Sequence, residues 1–398
     1  MAKKLRVGVI CGGRSAEHQV SLVSAGSVIK ALDKDKYEVI PIGITNRGEW
    51  LAGVNAIKLL KENKENEKLK VFLTPDPTVK ALIRNDISQH TVSDLKQTEK
   101  IDVVIPILHG TYGEDGTIQG LLELANIPYV GAGVLGSSLS MDKILQKQVC
   151  RQSGLPVADF VWFRGVDWGK NKAAGGVQPL QNQLINMTWD EMVAAVINEL
   201  GLPVFVKPPN MGSSVGISKA HDKKELEQAI HLALKYDRKV LIEKAIPNAR
   251  EIEVSVLGNE EPKASVTGEV IPSNEFYDYD AKYVDDASDL KIPANIPDDV
   301  STEIRQTAIK GVLAVEAEGM ARVDFLLEKD TNKFYLNEIN TIPGFTQISM
   351  YPKLWQASGL SYGELLDELI RLAIDRHEKR SRLNTTFKPK KEWYKLSL

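Results

Sequence analysis

The stretch "ARVDFLLEKDTNKFYLNEIN", residues 321–340, decides how the second half of the chain folds. Two alternating runs, 321–327 and 333–339, flank a Lys-Asp-Thr-Asn turn, which is the signal of an antiparallel hairpin. Strand side chains alternate between faces, so Arg322 and Asp324 share one face of the first run. Glu338 and Asn340 share one face of the second. If the two faces coincide, two carboxylates and a carboxamide converge. At an effective dielectric near ~20, carboxylates ~4 Å apart repel by roughly 4 kcal/mol, so such a face calls for a cation. Hard oxygen donors of this kind suit Mg²⁺ completed by substrate phosphates; the plainer alternative is a solvated polar sheet face.

Upstream, "KPPNMGSSVGISK" (207–219) places Lys207 after an apolar run and ahead of a Gly-Ser-Ser-Val-Gly turn. Consecutive N–H groups and hydroxyls in such a turn can close over phosphates. Lys143, on an earlier helix, offers a second cation. The chain has no G-x-x-x-x-G-K-[ST] segment, so this is not a Walker motif. Combined with the acids about a hundred residues later, the turn points to a nucleoside triphosphate. The surrounding pattern, with helices at 141–154 and 222–236 and strands such as "PVFVKP", "KVLIEKAI", "REIEVSVLG" and "KASVTGEVIP", predicts an α+β region with an antiparallel sheet. Residues 164–187 lack periodicity and read as a surface insertion, and the residues after 378 as a basic, solvated tail.

The first part of the chain reads differently. Leu5–Cys11 is a buried-strand run ending at Gly12 and Gly13, followed by a helix over 17–32, a strand over 38–44 and another buried strand in "DVVIPILHG" (102–110). Strands alternating with helices predict a parallel sheet covered on both faces, a Rossmann-like α/β domain ending between 131 and 145. "GVICGGRSAE" lacks the G-x-G-x-x-G spacing, and no acid ends the second strand, which argues against a dinucleotide. Glu17, at the mouth of the first helix, is either a plain cap or a site for a substrate ammonium. The 398 residues carry 50 basic and 53 acidic side chains, so no global field favours nucleic acid or membrane. Two widely spaced cysteines exclude a disulfide framework, and no apolar run approaches the ~20 residues of a membrane span; a cytoplasmic protein is expected.

The motifs "GGRSAEHQVS", "LHGTYGEDGTIQG", "SMDK", "VKPPNMGSSVGISK", "VLIEKAI", "YDYDAKYVDD" and "ARVDFLLEKDTNKFYLNEINTIPGFTQISMYPKLW" occur in this order along nearly the whole chain. In that order the sequence resembles the D-alanine–D-alanine ligases of the ATP-grasp superfamily. The resemblance implies an N-terminal domain (1–140) followed by two ATP-grasp subdomains (141–245 and 246–378) and a tail (379–398). It also implies a homodimer serving peptidoglycan precursor synthesis.

On the same resemblance, Lys143, Lys207 and Ser214 would meet the phosphates of ATP, with Lys282 reaching the nucleotide from a loop. Glu243 and Glu251 would hold adenine and ribose, beside the Lys244 and Ile246 backbone. Asp324, Glu338 and Asn340 would carry two Mg²⁺ (or Mn²⁺) ions. Glu17 would hold the ammonium of the first D-alanine, with His109 near it, and Ser349 the carboxylate of the second. Arg322 and the Gly344 N–H would stabilise the oxyanion. Tyr283, on the loop "EFYDYDAKYVDDAS", would join Ser213 and Glu17 in a network that closes the site. Two rivals stay open at this point: another carboxylate–amine or D-alanine–D-lactate ligase of the superfamily, and a regulatory protein that binds nucleotide without turnover.

Overall fold

The computed structural model describes residues 3–62, 69–85, 95–165, 182, 184–185, 187–271 and 289–387. The first unit is a seven-stranded sheet of order β6-β5-β4-β3-β2-β1-β7. Its strands are β1 (Leu5–Gly12), β2 (Tyr37–Ile44), β3 (Trp50–Ala52), β4 (Lys70–Leu73), β5 (Ala81–Asn85), β6 (Leu95–Lys100) and β7 (Val103–Ile107). β1 pairs in parallel with β2 and with β7, as the alternation of strand and helix predicts. Strands β3 to β6 extend that sheet in antiparallel fashion. They were not legible beforehand, because they are short and partly charged.

Helices cover both faces. Val7, Val9 and Ile105 pack under α1 (His18–Ala31), whereas Ile10, Ile42 and Val104 form a second core with Ile118 and Leu122. The latter two belong to α3 (Thr117–Leu124), which follows the short α2 (Ala56–Lys61). Two further helices, α4 (Val134–Met141) and α5 (Lys143–Gln152), lead into the second half. Asp142 starts α5 by accepting from the N–H groups of Ile144 and Leu145, a cap that supplies two of the four donors a helix start leaves open.

The central unit is an antiparallel sheet of order β10-β9-β11-β8, built from β8 (Phe160–Arg164), β9 (Val204–Lys207), β10 (Ser218–Ala220) and β11 (Lys239–Lys244). One face is sealed by α6 (Trp189–Leu200), which starts in a Thr188/Glu191 capping box, and by α7 (Lys223–Ala233). The other face turns Phe160, Trp162 and Leu241 towards Ile144 of α5. Part of the expected surface insertion is in fact structural: Asn182 and Leu184 exchange backbone hydrogen bonds with Trp162, and Leu184 is buried in the central core. Most of the remainder of that insertion lies outside the described residues.

The third unit is a five-stranded antiparallel sheet, β14-β13-β12-β15-β16, comprising β12 (Ala249–Gly258), β13 (Lys263–Ile271), β14 (Asp289–Lys291), β15 (Gly319–Glu328) and β16 (Phe334–Asn340). The expected hairpin is thus β15–β16. Ile252, Val254, Val323 and Phe325 form its apolar face beneath α8 (Asp298–Ala314). After α9 (Met350–Ala357), the last described helix, α10 (Tyr362–Ser381), returns to the first unit and buries Leu365, Leu366 and Leu369 against its sheet. Its end lies three residues beyond 378, where the tail was expected to start.

Candidate active site

The register of the third sheet answers the question raised by the hairpin. Asp324 lies opposite Glu338, Arg322 opposite Asn340, and Glu253 of β12 opposite Asp324. Cross-strand partners share a face, so these five side chains stand together on the side away from the apolar core. Their charges are met within the protein. The Arg322 guanidinium donates to both oxygens of Asp324 at 2.7 Å and lies 3.0 Å from Glu253. Asn340 donates to Asp324 at 2.9 Å, and the Lys143 ammonium stands 3.2 Å from Glu338. Burial works against charge on Arg322, but Asp324 and Glu253 outweigh it and raise its pKa further.

The oxygen-only character of Asp324, Glu338 and Asn340 fits a hard cation such as Mg²⁺. Among the described residues, no group of three or more His, Cys, Asp or Glu side chains could hold a metal ion. Mg²⁺ in nucleotide sites is usually held by one or two carboxylates, with waters and phosphate oxygens completing its shell.

The central sheet contributes a second charged group. Glu243, at the end of β11, has Lys147 2.6 Å from one oxygen and Lys207 2.5 Å from the other. Burial pushes its carboxyl up, but Lys147 and Lys207 together hold it down at about 2. Lys143 also donates to the Met211 carbonyl at 2.9 Å, which ties α5 to the loop after Lys207. In that loop Ser213 and Ser214 take φ values of 49° and 58°. Two successive non-glycine residues in the left-handed region are uncommon, and such strain gathers at functional sites.

Ser213 donates through its hydroxyl to Glu17, linking the loop to the first unit. A Cβ on Gly212 would lie 2.7 Å from the Glu17 carboxylate, and one on Gly110 would also collide with it. Glu17 is therefore approached by bare backbone from two sides. His109 is fixed nearby: Nδ1 donates to the Ile342 carbonyl at 3.0 Å, and Ser24 lies 3.2 Å from Nε2. Burial lowers its pKa, so the ring is neutral and Nε2 accepts from the Ser24 hydroxyl.

At the far side, a Cβ on Gly344 would stand 3.0 Å from the Ser349 hydroxyl. Ser349 begins α9 and accepts from the Thr346 N–H at 3.0 Å. Glu251 is half-buried on β12, on the face that carries Glu253. Lys244 is exposed and its N–H donates to the Asp159 carbonyl, so that donor serves the sheet; Ile246 is half-buried just beyond β11. Lys282 and Tyr283 lie outside the described residues.

Sequence reasoning missed three participants. Glu253 and Lys147 were signalled by spacing alone, two residues from Glu251 along a strand and four from Lys143 along a helix. Glu114 lay inside a quoted motif. Its oxygens accept from the N–H groups of Gly110 (2.7 Å) and Ile342 (3.2 Å), and burial, then Glu17, push its carboxyl up to about 8.

An α/β domain followed by two antiparallel α+β units, with lysines and acids on their facing surfaces, defines an ATP-grasp protein. The comparisons narrow this. A model described as D-ala D-ala ligase N-terminus matches residues 6–132, and one described as D-ala D-ala ligase C-terminus matches 149–371. The chain is 47% identical over 386 residues to a D-alanine–D-alanine ligase of Natranaerobius thermophilus, covering 97% of this chain and 99% of that one. It is 49% identical over 382 residues to the D-alanine–D-alanine ligase of Thermoanaerobacter sp. (96% and 99% covered). Among solved structures, a D-alanine–D-alanine ligase from Coxiella burnetii matches with a TM-score of 0.77 at 34% identity (96% and 97% covered). The VanG D-Ala:D-Ser ligase from Enterococcus faecalis matches with 0.77 at 33% identity (93% and 100% covered). The chain belongs to the D-alanine–D-alanine ligase family.

Proposed function

We propose that the chain joins two D-alanine molecules at the expense of ATP, through a D-alanyl phosphate, for the assembly of peptidoglycan precursors. The observation that carries the reading is the polar face on which Asp324 opposes Glu338, with Lys143 across from it and the Ser213–Ser214 turn linked to Glu17. Lys143, Lys207 and Ser214 bind the triphosphate. Glu243 and Glu251 receive adenine and ribose, at the margin formed by Lys244 and Ile246. Asp324, Glu338 and Asn340 hold two Mg²⁺ (or Mn²⁺) ions, which when bound neutralise phosphoryl oxygens. The units divide near residues 140, 245 and 378.

A carboxylate oxygen of the first D-alanine attacks the γ-phosphorus and ADP leaves, giving the acyl phosphate. The unprotonated amine of the second D-alanine then attacks the acyl carbon, and inorganic phosphate leaves as the peptide bond forms. Glu17, steadied by Ser213, holds the first ammonium. Neutral His109 lines that end and adds no charge to repel it. Ser349 holds the second carboxylate, while Arg322 and the Gly344 N–H face the oxygen that becomes negative.

The working unit is a homodimer in the cytoplasm. Cys11 and Cys150 are buried, free thiols, and no described helix is long and apolar enough to cross a membrane. Coupled ADP release with D-alanine, L-alanine and D-lactate tests the reaction: turnover should need D-alanine, and equal rates with L-alanine would refute it. Glu338→Gln should keep the melting transition and lose most turnover at every Mg²⁺ concentration. Full activity in that variant would remove Glu338 from the metal set.

A further inference from the structure

Lys147 has no part in the division of labour above, yet its side chain is only 1% exposed. An ammonium is not buried so deeply without partners that compensate lost hydration. Lys147 has two, on different units: Glu243 of the central sheet at 2.6 Å, and the Asn337 carbonyl of β16 at 2.9 Å. It sits one helical turn after Lys143, so α5 presents both cations on one face.

Glu243 is shared by two lysines that are not equivalent. Lys207 ends β9, immediately before the serine turn, is more exposed at 11%, and has its second partner, Asn337 Oδ1, at a long 3.4 Å. Lys147 is the more deeply buried of the two and is anchored at 2.9 Å by the backbone carbonyl of Asn337, at the bulge where the β15–β16 register skips a residue. When a triphosphate competes for one of these lysines, Lys207 is the one that can leave. Glu243 then needs a remaining counter-charge. Without it, a buried carboxylate takes up a proton or turns towards water.

We propose that Lys147 is a positioning residue for the nucleotide: it stays on Glu243 as a standing counter-ion while Lys207 moves to the phosphates, keeping one carboxylate oxygen aimed at the exocyclic amine of adenine. The proposal rests on the reading that Glu243 meets adenine and Lys207 the phosphates. It assigns to Lys147 a share in choosing the base, through a residue that touches no part of ATP.

Base choice supplies the test. Inosine triphosphate carries a carbonyl where adenine carries the amine, so an aimed carboxylate repels it. K147M keeps the length of the side chain and removes the ammonium. The expected result is a KM for ATP raised about tenfold, kcat at saturating ATP changed far less, and an ATP-over-inosine preference reduced about tenfold, the scale of one lost charged hydrogen bond. If K147M does not fold, K147Q, which keeps a donor for Asn337, is read in the same way. A folded variant with wild-type KM and wild-type base preference overturns the proposal, whatever its melting temperature, because a merely structural clamp would shift only the latter. E243Q separates the two levels. Lost preference in E243Q but not in the Lys147 variants sinks the Lys147 role alone; retained preference in E243Q sinks the adenine reading and the proposal with it.

Discussion

Glu114 and Arg322 show how single residues set the site's response to pH and mutation. Burial and the Glu17 carboxylate raise Glu114 to about 8, against two backbone N–H groups that favour its charged form. A folded-state pKa above the unfolded value of 4.5 means that the native protein holds an extra proton between the two. The stability this contributes is complete below the unfolded value and is lost as pH rises through 8. The melting temperature of the unliganded protein should therefore decline from pH 5 to pH 8, and Glu114→Gln should flatten the decline. Parallel curves for the two proteins would exclude Glu114 as its source. Arg322→Ala should lower kcat about 10²-fold, the loss seen when one oxyanion donor is removed. The same change breaks a pairing with Asp324 and Glu253 that is one-fifth exposed on the arginine side, so a loss of about 3 kcal/mol in denaturant unfolding should accompany it. Arg322→Lys keeps a charge and should recover more stability than turnover, since it cannot reproduce the paired N–H geometry.

The decisive elements are turns and helix starts, where backbone comes close to a side chain. Gly212 opens the serine turn and Gly110 follows His109, and both lie against the Glu17 carboxylate. Gly212→Ala should push that carboxylate aside. The expected outcome is a raised KM for the first D-alanine with the KM for ATP little changed, read from initial rates at saturating levels of the other substrate. Equal effects on both substrates would mean that the whole turn had shifted. Helix α5 works at the same scale. Its Asp142 cap fixes where Lys143 begins, and the 3.6-residue repeat then delivers Lys147 to Glu243.

At the scale of the molecule, helix α10, the last one described, belongs to the first sheet. Arg376 on α10 is buried, donates to the carbonyls of Tyr129 and Gly131, and stacks 4.6 Å from the Tyr129 ring. Asp367 on the same helix accepts from Lys36 at 2.6 Å and from Tyr37 at 2.7 Å. The first and third units are thus locked together, with the Ile342 loop, His109 and Glu114 at their junction. Arg376→Met should cost about 3 kcal/mol in denaturant unfolding, as two hydrogen bonds to a charged donor are lost. Turnover per folded molecule should hold. A fall in kcat at unchanged stability would mean that the junction does more than hold the units together.

The amino-acid sequence by itself determined the hairpin at 321–340, the parallel trio of strands, the capped helices and most of the residues gathered on the polar face. Each of these follows from local periodicity or turn chemistry, which a linear reading can count. The register that sets Asp324 against Glu338 could be anticipated only as a condition, because alternation names the face of each strand but not the offset between them. Tertiary structure alone decided the rest. It brought Lys147 and Lys207 to opposite oxygens of Glu243, which lies 96 and 36 positions further along a chain whose spacing carries no sign of the meeting. It also set a half-buried Glu114 beside Glu17, and so gave an ordinary glutamate an unusual proton affinity. Contacts of that range depend on how three sheets pack, and that packing is written in no single stretch of the sequence.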